Sequence, residues 1–510
     1  MYPYFLLARK PSYLPSNEAP ELQEGNGHLL TIAPTRAGKG TGQIMINLLS
    51  WVGSVLVIDI KGENYDLSAK YRKEELHQEI VRFAPFEEDS GIWNPILSIY
   101  KNPKDEKSTP EEEEDTRYLT NLLITPSGRS GATFWENSAK NFLDGLLLYV
   151  RTVPIESKNS NNNDPKPNSI GQKPNSIDQK LNSDDPKDQH QVRERSMREV
   201  RRLLSLKKKA FKKLLTAMGE SKRTLISQAG NSFKGFMSGE GKIGLSILAV
   251  ALEQTAVWAY QRVHKATYKK SEDTPNMEPE PNNFAFSDMR KRDTSIYLII
   301  PPEYLTEYRS VLRVMIGFAM RELKISYEES KEENKPPVLF ILDEFPQLAY
   351  MRPIEEALLY LAGYGVRFWF FVQDISQLQL HYKDSWRTFF ANTGTQCFFG
   401  VSDIATANLV SEMIGIATVP CSTYTNKSLT LGPYQSQFGT EQKKTLDLLC
   451  RDPSWKPVTR TLAETTRLLI TPDEVMRMED YEQIVFMKGL NPIRCYRPHY
   501  FEFTNFEHLK

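Results

Sequence analysis

Residues 29–41, LLTIAPTRAGKGT, join a short apolar strand to a glycine-rich turn that ends in a lysine, a junction suited to holding nucleotide phosphates. In a phosphate-binding loop the turn after a strand aims successive backbone N–H groups at phosphate oxygens, and the following helix adds the positive end of its dipole. Gly38 and Gly40 let the backbone approach without a Cβ, and Lys39 has the reach for β- and γ-phosphates. The cradle is read as Thr35, Arg36, Ala37, Gly38, Lys39, Gly40 and Thr41. Two positions depart from the usual G-x-x-x-x-G-K-[ST]: Ala33 replaces the first glycine, and Gly40 replaces the Ser or Thr that binds Mg2+. Thr41 comes one residue late, which leaves open whether its hydroxyl or a water completes a metal shell. The bland alternative is a glycine-rich turn with no ligand.

A second segment narrows the choice. Residues 338–344, VLFILDE, form an apolar run of strand length that ends in two carboxylates and follows the turn-forming 334–337, NKPP. In P-loop ATPases such a strand is expected beside the P-loop strand, its first acid holding the Mg2+ shell and its second polarising the attacking water. Asp343 and Glu344 fit those roles, with Thr41 as a further metal candidate. A third apolar strand, 368–372, ends at Gln373, whose amide suits sensing a γ-phosphate or orienting the water; a cap or loop residue is the alternative.

At 510 residues the chain exceeds one ordinary core, so two or more domains are expected. Lys plus Arg equals Asp plus Glu at 64 each, so any basic surface must be local. Cys397, Cys421, Cys450 and Cys495 lie far apart without metal-ligand spacing, which points to a reduced cytoplasmic chain and no structural metal. No signal peptide or membrane span is visible: 4–8 is too short, and 44–60 is interrupted by Asn47, Ser50, Gly53, Ser54 and Asp59.

Along the chain, 1–27 reads as an irregular lead-in and 54–60 and 80–83 as further strands of a parallel α/β layer. From about Thr116 the periodicity becomes helical, with Phe142, Leu146 and Tyr149 recurring on one face of 138–150. The polar tract 154–191 contains a tandem heptapeptide, KPNSIGQ then KPNSIDQ, and reads as a disordered insertion. Residues 193–215 read as one amphipathic helix carrying ten Lys or Arg against two Glu, either a DNA-phosphate or acidic-partner surface or a solvated face. The segment 271–283 reads as a linker back to strand 295–300 and a helix over 311–325.

Together the blocks APTRAGKG (33–40), DIKGEN (59–64), FAPF (83–86), LDEFP (342–346), LAGYG (361–365), VQD (372–374) and LITPDE (469–474) resemble the coupling ATPases of type IV secretion systems, the conjugative DNA transfer family. The resemblance runs in order over about 28–500 and includes the Gly after the lysine. It implies an α/β fold, a RecA-like P-loop NTPase motor domain with a parallel sheet, interrupted by an inserted all-helical domain. The boundaries are then 28–115 and 271–510 for the motor and 116–270 for the helices. It further implies ATP and Mg2+ as cofactors, DNA and relaxase or effector protein as cargo, and channel components at the inner membrane as partners. A homo-hexamer is implied, with Arg367 a candidate arginine offered to the neighbouring subunit's γ-phosphate; a surface salt bridge is its other reading. Members usually begin with a transmembrane hairpin that is not seen in this sequence, so either a soluble variant or a peripheral protein at the cytoplasmic face, anchored through another polypeptide, is expected. A DNA-pumping ATPase of chromosome partitioning and a non-hydrolysing cargo adaptor are the rival readings.

Overall fold

The computed structural model describes residues 27–99, 109–125, 132–154, 192–238, 241–270, 282–330, 335–426 and 458–503. Short apolar runs become strands β1 (His28–Ile32), β2 (Val55–Asp59), β3 (Glu79–Phe83), β4 (Thr294–Ile299), β5 (Val338–Leu342), β6 (Val366–Val372) and β7 (Thr393–Phe398). Every position of β1, β2, β4 and β5 is buried. Strands covered on both faces need unbroken apolar runs and not alternation, which is why these segments read so plainly in the sequence. Chain-distal strands β10 (Glu482–Met487) and β11 (Ile493–Tyr496) complete a nine-stranded sheet ordered β11-β10-β7-β1-β6-β5-β2-β4-β3. The seven strands from β7 to β3 pair in parallel, and β10 and β11 add antiparallel at one edge. This is the expected α/β fold, with one correction. The Asp-Glu strand β5 does not lie beside the P-loop strand β1; β6, which ends at Gln373, hydrogen-bonds to both and separates them. Adjacency between strands distant in sequence is a tertiary choice that no local pattern encodes.

Helix α1 (Met45–Ser50), preceded by a π-helical turn over Gly40–Ile44, and α2 (Glu63–Glu74) pack on this sheet. The buried Arg72 of α2 joins the two. Its guanidinium donates to Ser295 Oγ, to the carbonyls of Leu48, Trp51 and Gly53, and to Gln78 Oε1. Burial pulls its pKa down to about 10, still far above neutrality, so the cation persists.

The helical segment between β3 and β4 comprises α3 (Pro110–Leu123), α4 (Ala132–Thr152), α5 (Met197–Leu204), α6 (Lys208–Gly219), α7 (Thr224–Phe236), α8 (Lys242–Gln254) and α9 (Gln261–Thr267). It begins at Pro110, before the expected Thr116. Thr109 and Glu112 form a reciprocal capping box, and proline is favoured in the first turn because its missing N–H is not needed there. Phe142 of α4 stacks on Phe233 of α7 with centroids 4.0 Å apart. Gly145 lets the two helices approach, since a Cβ there would lie 2.2 Å from the Ala229 methyl. The expected single basic helix over 193–215 is two helices. Ser205 hydroxyl donates back to Arg201 O, and Lys207 is extended at φ −60°, ψ 148°, so the helix ends where a short polar side chain competes for its own backbone. Arg195 and Arg202 serve internal contacts, to the carbonyl of Val150 and to Glu199, while Lys207, Lys208, Lys209 and Lys212 form an exposed basic row and Arg193 and Arg198 are exposed before it. The long helix Leu305–Ser330 braces α3: Tyr118 hydroxyl donates to Gly317 O at 2.9 Å and Arg321 pairs with Asp115 at 2.6 Å.

Among the described residues, those up to 399 with those from 481 form one compact unit and those between 400 and 480 a second. In the second, β8 (Ile416–Asn426) and β9 (Val458–Leu468) make an antiparallel ribbon from Ile416↔Leu468 to Asn426↔Val458. The LITPDE block resolves there as a helix start: Thr471 and Glu474 form a capping box on Pro472–Met476. Among the described residues no helix is long and apolar enough to cross a membrane. The expected lead-in, the heptapeptide tract and most of the 271–283 linker lie outside the described residues.

Replacing Arg72 by Met removes the donors to the buried carbonyls of Leu48 and Trp51 and to Ser295 Oγ, each at about 1–3 kcal/mol, while the Gly53 carbonyl keeps Gln78 Nε2 at 3.1 Å. Urea denaturation is expected to show a loss of at least about 3 kcal/mol for Arg72→Met; a loss below about 1 kcal/mol contradicts this role.

Candidate active site

The parallel register brings four strand ends to one edge. Ile32 pairs with Val372 and Leu342 with Phe370, while Ile58 pairs with Leu342. Ala33, Gln373, Asp343 and Asp59 therefore leave the sheet side by side, at the carboxyl ends where open α/β sheets form their sites. The hydrogen bond from Ala33 N to Val372 O, 3.0 Å, ties the first residue of the loop to the strand of Gln373.

Within the loop, Thr35 and Arg36 are exposed and Ala37 is partly so, and Arg36 adopts a left-handed conformation at φ 63°. Gly38 has φ +86°, and a Cβ on it would meet Arg497 Nη1 at 2.6 Å, so glycine is required twice over. Gly40 has open space around its Cα, which fits a position kept clear for a ligand. A π-helical turn follows directly, a feature that recurs at functional sites. Lys39 is buried; its Nζ donates to Ala33 O at 2.9 Å and lies 3.8 Å from Glu344 Oε1. The Thr41 hydroxyl is shared between Gly38 O at 3.5 Å and His499 Nδ1 at 3.0 Å.

Glu344 is the strained residue of the site. Its backbone is left-handed at φ 54°, ψ 42°, a conformation that costs a non-glycine residue about 1–2 kcal/mol. The turn puts its carboxylate within reach of Lys39 on one oxygen and of Gln373 on the other, with Gln373 Nε2 donating to Oε2 at 2.9 Å. Asp343 accepts from Glu344 N at 3.1 Å. Burial, reinforced by the neighbouring Glu344 carboxylate, pushes its pKa up to about 7, against the pull of Lys39. Asp59 is a third acid at this edge, marked beforehand only by its place in the DIKGEN block. Burial pushes it up to about 6, opposed by hydrogen bonds from Tyr65 N at 2.8 Å and Gly62 N at 3.0 Å.

Lys39, Asp343, Glu344 and Gln373 thus converge. Arg367 does not join them: it sits at the opposite end of β6, about 20 Å away at roughly 3.3 Å per residue, and donates to Ala362 O at 2.8 Å. Sequence reasoning also missed the C-terminal segment, where Arg497 donates to Gly38 O at 3.1 Å and stacks on Phe399 with its guanidinium 4.6 Å from the ring centroid. Contacts spanning more than four hundred residues leave no local trace.

The donor set suits a Mg2+ nucleotide. Among the described residues no group of three or more His, Cys, Asp or Glu could hold a metal by itself. Mg2+ keeps several waters and takes one or two carboxylates plus substrate phosphates, which matches Asp343 at the end of β5, close enough to Lys39 to feel its charge.

The sequence model of the type IV secretory system conjugative DNA transfer family matches residues 8–509. The chain belongs to that family. Among the relatives of this conjugative DNA transfer family, protein VirD4 of Rhizobium radiobacter is 26% identical over 497 residues, covering 96% of this chain and 58% of the relative. The conjugal transfer protein TraG of Escherichia coli is 26% identical over 499 residues, covering 94% of this chain and 68% of the relative. The chain therefore spans well under two thirds of the length of that VirD4 protein. Among solved structures, the conjugative coupling protein TrwBdeltaN70 superposes with a TM-score of 0.57 at 13% identity, over 93% of this chain and 85% of that one. TrwB in complex with ADP and Mg2+ gives 0.56 at 12%. The fold is accordingly the RecA-like P-loop fold with its helical domain, as expected.

Substitution separates the parts assigned to Lys39 and Glu344. Lys39→Ala is expected to abolish nucleotide binding, whereas Glu344→Gln keeps binding and loses turnover by about a hundredfold or more, read by calorimetry and phosphate release. Equal turnover in wild type and Glu344→Gln contradicts the assignment.

Proposed function

We propose that this chain is the motor of an ATP-hydrolysing coupling protein that recruits DNA–protein or protein cargo and delivers it to a type IV secretion channel at the inner membrane. The observation that carries the reading is the convergence of Lys39, Glu344 and Gln373 at one sheet edge, in a chain of this family. TrwB, whose fold this chain shares, is described in complex with ADP and Mg2+ and with non-hydrolysable ATP and GTP analogues. That supports ATP with Mg2+ as the ligand here.

Bound ATP with Mg2+ supplies the phosphoanhydride bond that is broken. The N–H groups of 35–41 cradle its phosphates, and Lys39 exchanges its bonds to Ala33 O and Glu344 for phosphate oxygens. Asp343 would hold the metal through its waters, and with the Thr41 hydroxyl engaged by His499 Nδ1 at 3.0 Å, a water and not Thr41 would complete the shell. Glu344, held at Oε2 by the Gln373 amide, takes the proton of the attacking water, and release of that amide is how Gln373 reads the γ-phosphate. Retention of both acids speaks for hydrolysis, since an adaptor that only binds nucleotide needs no base.

In this reading six copies form a ring around DNA at the cytoplasmic face of the membrane, reached through partner polypeptides. Arg367 serves as the arginine given to a neighbour only if that copy presents the far edge of its sheet to Lys39. DNA is held through phosphates by the exposed row Lys207, Lys208, Lys209 and Lys212, with relaxase or effector as the attached cargo.

The test is ATP turnover with and without single- and double-stranded DNA, together with DNA affinity across a salt series. Binding through phosphates predicts a steep loss of affinity with salt and little sequence preference. Reversal of Lys207, Lys208 and Lys209 to Glu is expected to weaken binding at least about tenfold and flatten the salt slope, with basal turnover intact. Unchanged affinity and slope contradict this surface.

A further inference from the structure

The cradle has two ends, and the residues described so far occupy one of them. Lys39 points to the acids, 3.8 Å from Glu344, which marks the γ-phosphate end. At the other end, past Gly40, the hydroxyl of Thr41 meets His499 Nδ1 at 3.0 Å. Whatever the phosphates are attached to must leave the cradle on that side, along the start of the helix.

The segment 497–501 is built there as a platform. Arg497, itself buried, anchors it to the Gly38 carbonyl, and Tyr500 fills an apolar cluster with Met45, Ile46 and Leu49 on the back of the same helix. His499, between these two anchors, and Phe501, directly after the second, lie with their rings 8° from parallel and 5.1 Å between centroids, both only half-buried. Glu502 accepts from His499 N at 3.2 Å and from Tyr496 hydroxyl at 2.9 Å, which fixes the turn. Two parallel half-exposed rings beside a phosphate loop offer a flat π-face and few directed donors or acceptors.

We propose that His499, backed by Phe501, is the nucleoside subsite of this chain: the nucleotide base stacks on the imidazole face while 35–41 holds the phosphates. The subsite rests on the nucleotide reading given above. Because every base has a π-face, stacking discriminates poorly between purines, so ADP and GDP are held within about tenfold of one another. The segment also joins the end of the chain to the loop, so base occupancy and loop geometry are felt at one place.

Calorimetry of the full chain in Mg2+ with three probes, ADP, GDP and inorganic tripolyphosphate, tests this. Tripolyphosphate reports the cradle alone. His499→Ala is expected to weaken ADP and GDP by about tenfold and leave tripolyphosphate unchanged, and His499→Phe, which keeps a flat ring but loses the Thr41 contact, is expected to retain wild-type ADP affinity. Equal losses for ADP and tripolyphosphate in His499→Ala mean that the segment only braces the loop, and overturn the subsite. So does an unchanged ADP affinity in His499→Ala. Should His499→Ala fail to fold, His499→Leu against His499→Phe makes the same comparison, and equal ADP affinity in those two overturns it. Failure of wild type to bind both ADP and tripolyphosphate would instead remove the nucleotide reading on which the subsite stands.

Discussion

The structure depends on the parallel hydrogen-bonded register of β1, β6 and β5. Because β6 pairs with both outer strands, one ladder fixes where the phosphate loop, Gln373 and the Asp343–Glu344 pair emerge. Side chains alternate faces along a strand, so a slip of one residue in β6 would turn Trp369 and Phe371 out of the cluster they share with Leu29 and Val57. Both faces of β6 are apolar, so the fit of these particular rings, more than burial alone, guards the geometry of the polar edge. The polar pin from Trp369 Nε1 to Thr31 Oγ1, 3.0 Å, adds direction to that apolar lock.

What the edge gains from burial is electrostatic strength, and what it spends is strain. Asp343 sits where a carboxylate is hard to ionise without a cation, and its raised pKa expresses that. A divalent cation brought in with phosphates would relieve it. Glu344 holds a left-handed backbone that its short-range sequence does not favour, and two partners hold its carboxylate: Lys39 and Gln373. In the proposed reading, Lys39 and Gln373 are also the groups that a phosphate would recruit, so ligand arrival and release of the Glu344 carboxylate would be coupled through these shared contacts.

The strands and the loop were legible in the sequence because both-face burial demands unbroken apolar runs and because Gly38 needs a positive φ. Asp343 and Gln373 stand directly after such runs, which is how the sequence pointed to them, whereas Arg367, near the start of one, is not brought to them. Strand order was not: β6 between β1 and β5 is a long-range pairing, and so is the packing of Arg497 and His499 on the loop. Local polar chemistry misled in the helical segment, where the ten basic residues of 193–215 suggested one surface helix. Ser205 ends that helix, and several of its arginines turn inward to carbonyls and Glu199. The Gly40 substitution, odd against the usual pattern, falls at a position the fold leaves open.

The central claim is that Gln373 and Glu344 act as one unit through the bond between Nε2 and Oε2. A double-mutant cycle on steady-state ATP turnover tests it most directly. Gln373→Ala alone is expected to lower kcat by roughly ten- to a hundredfold, and to cost nothing further when Glu344 is already Gln, because residues that act as a unit are non-additive. Losses that simply multiply in the double variant would contradict it.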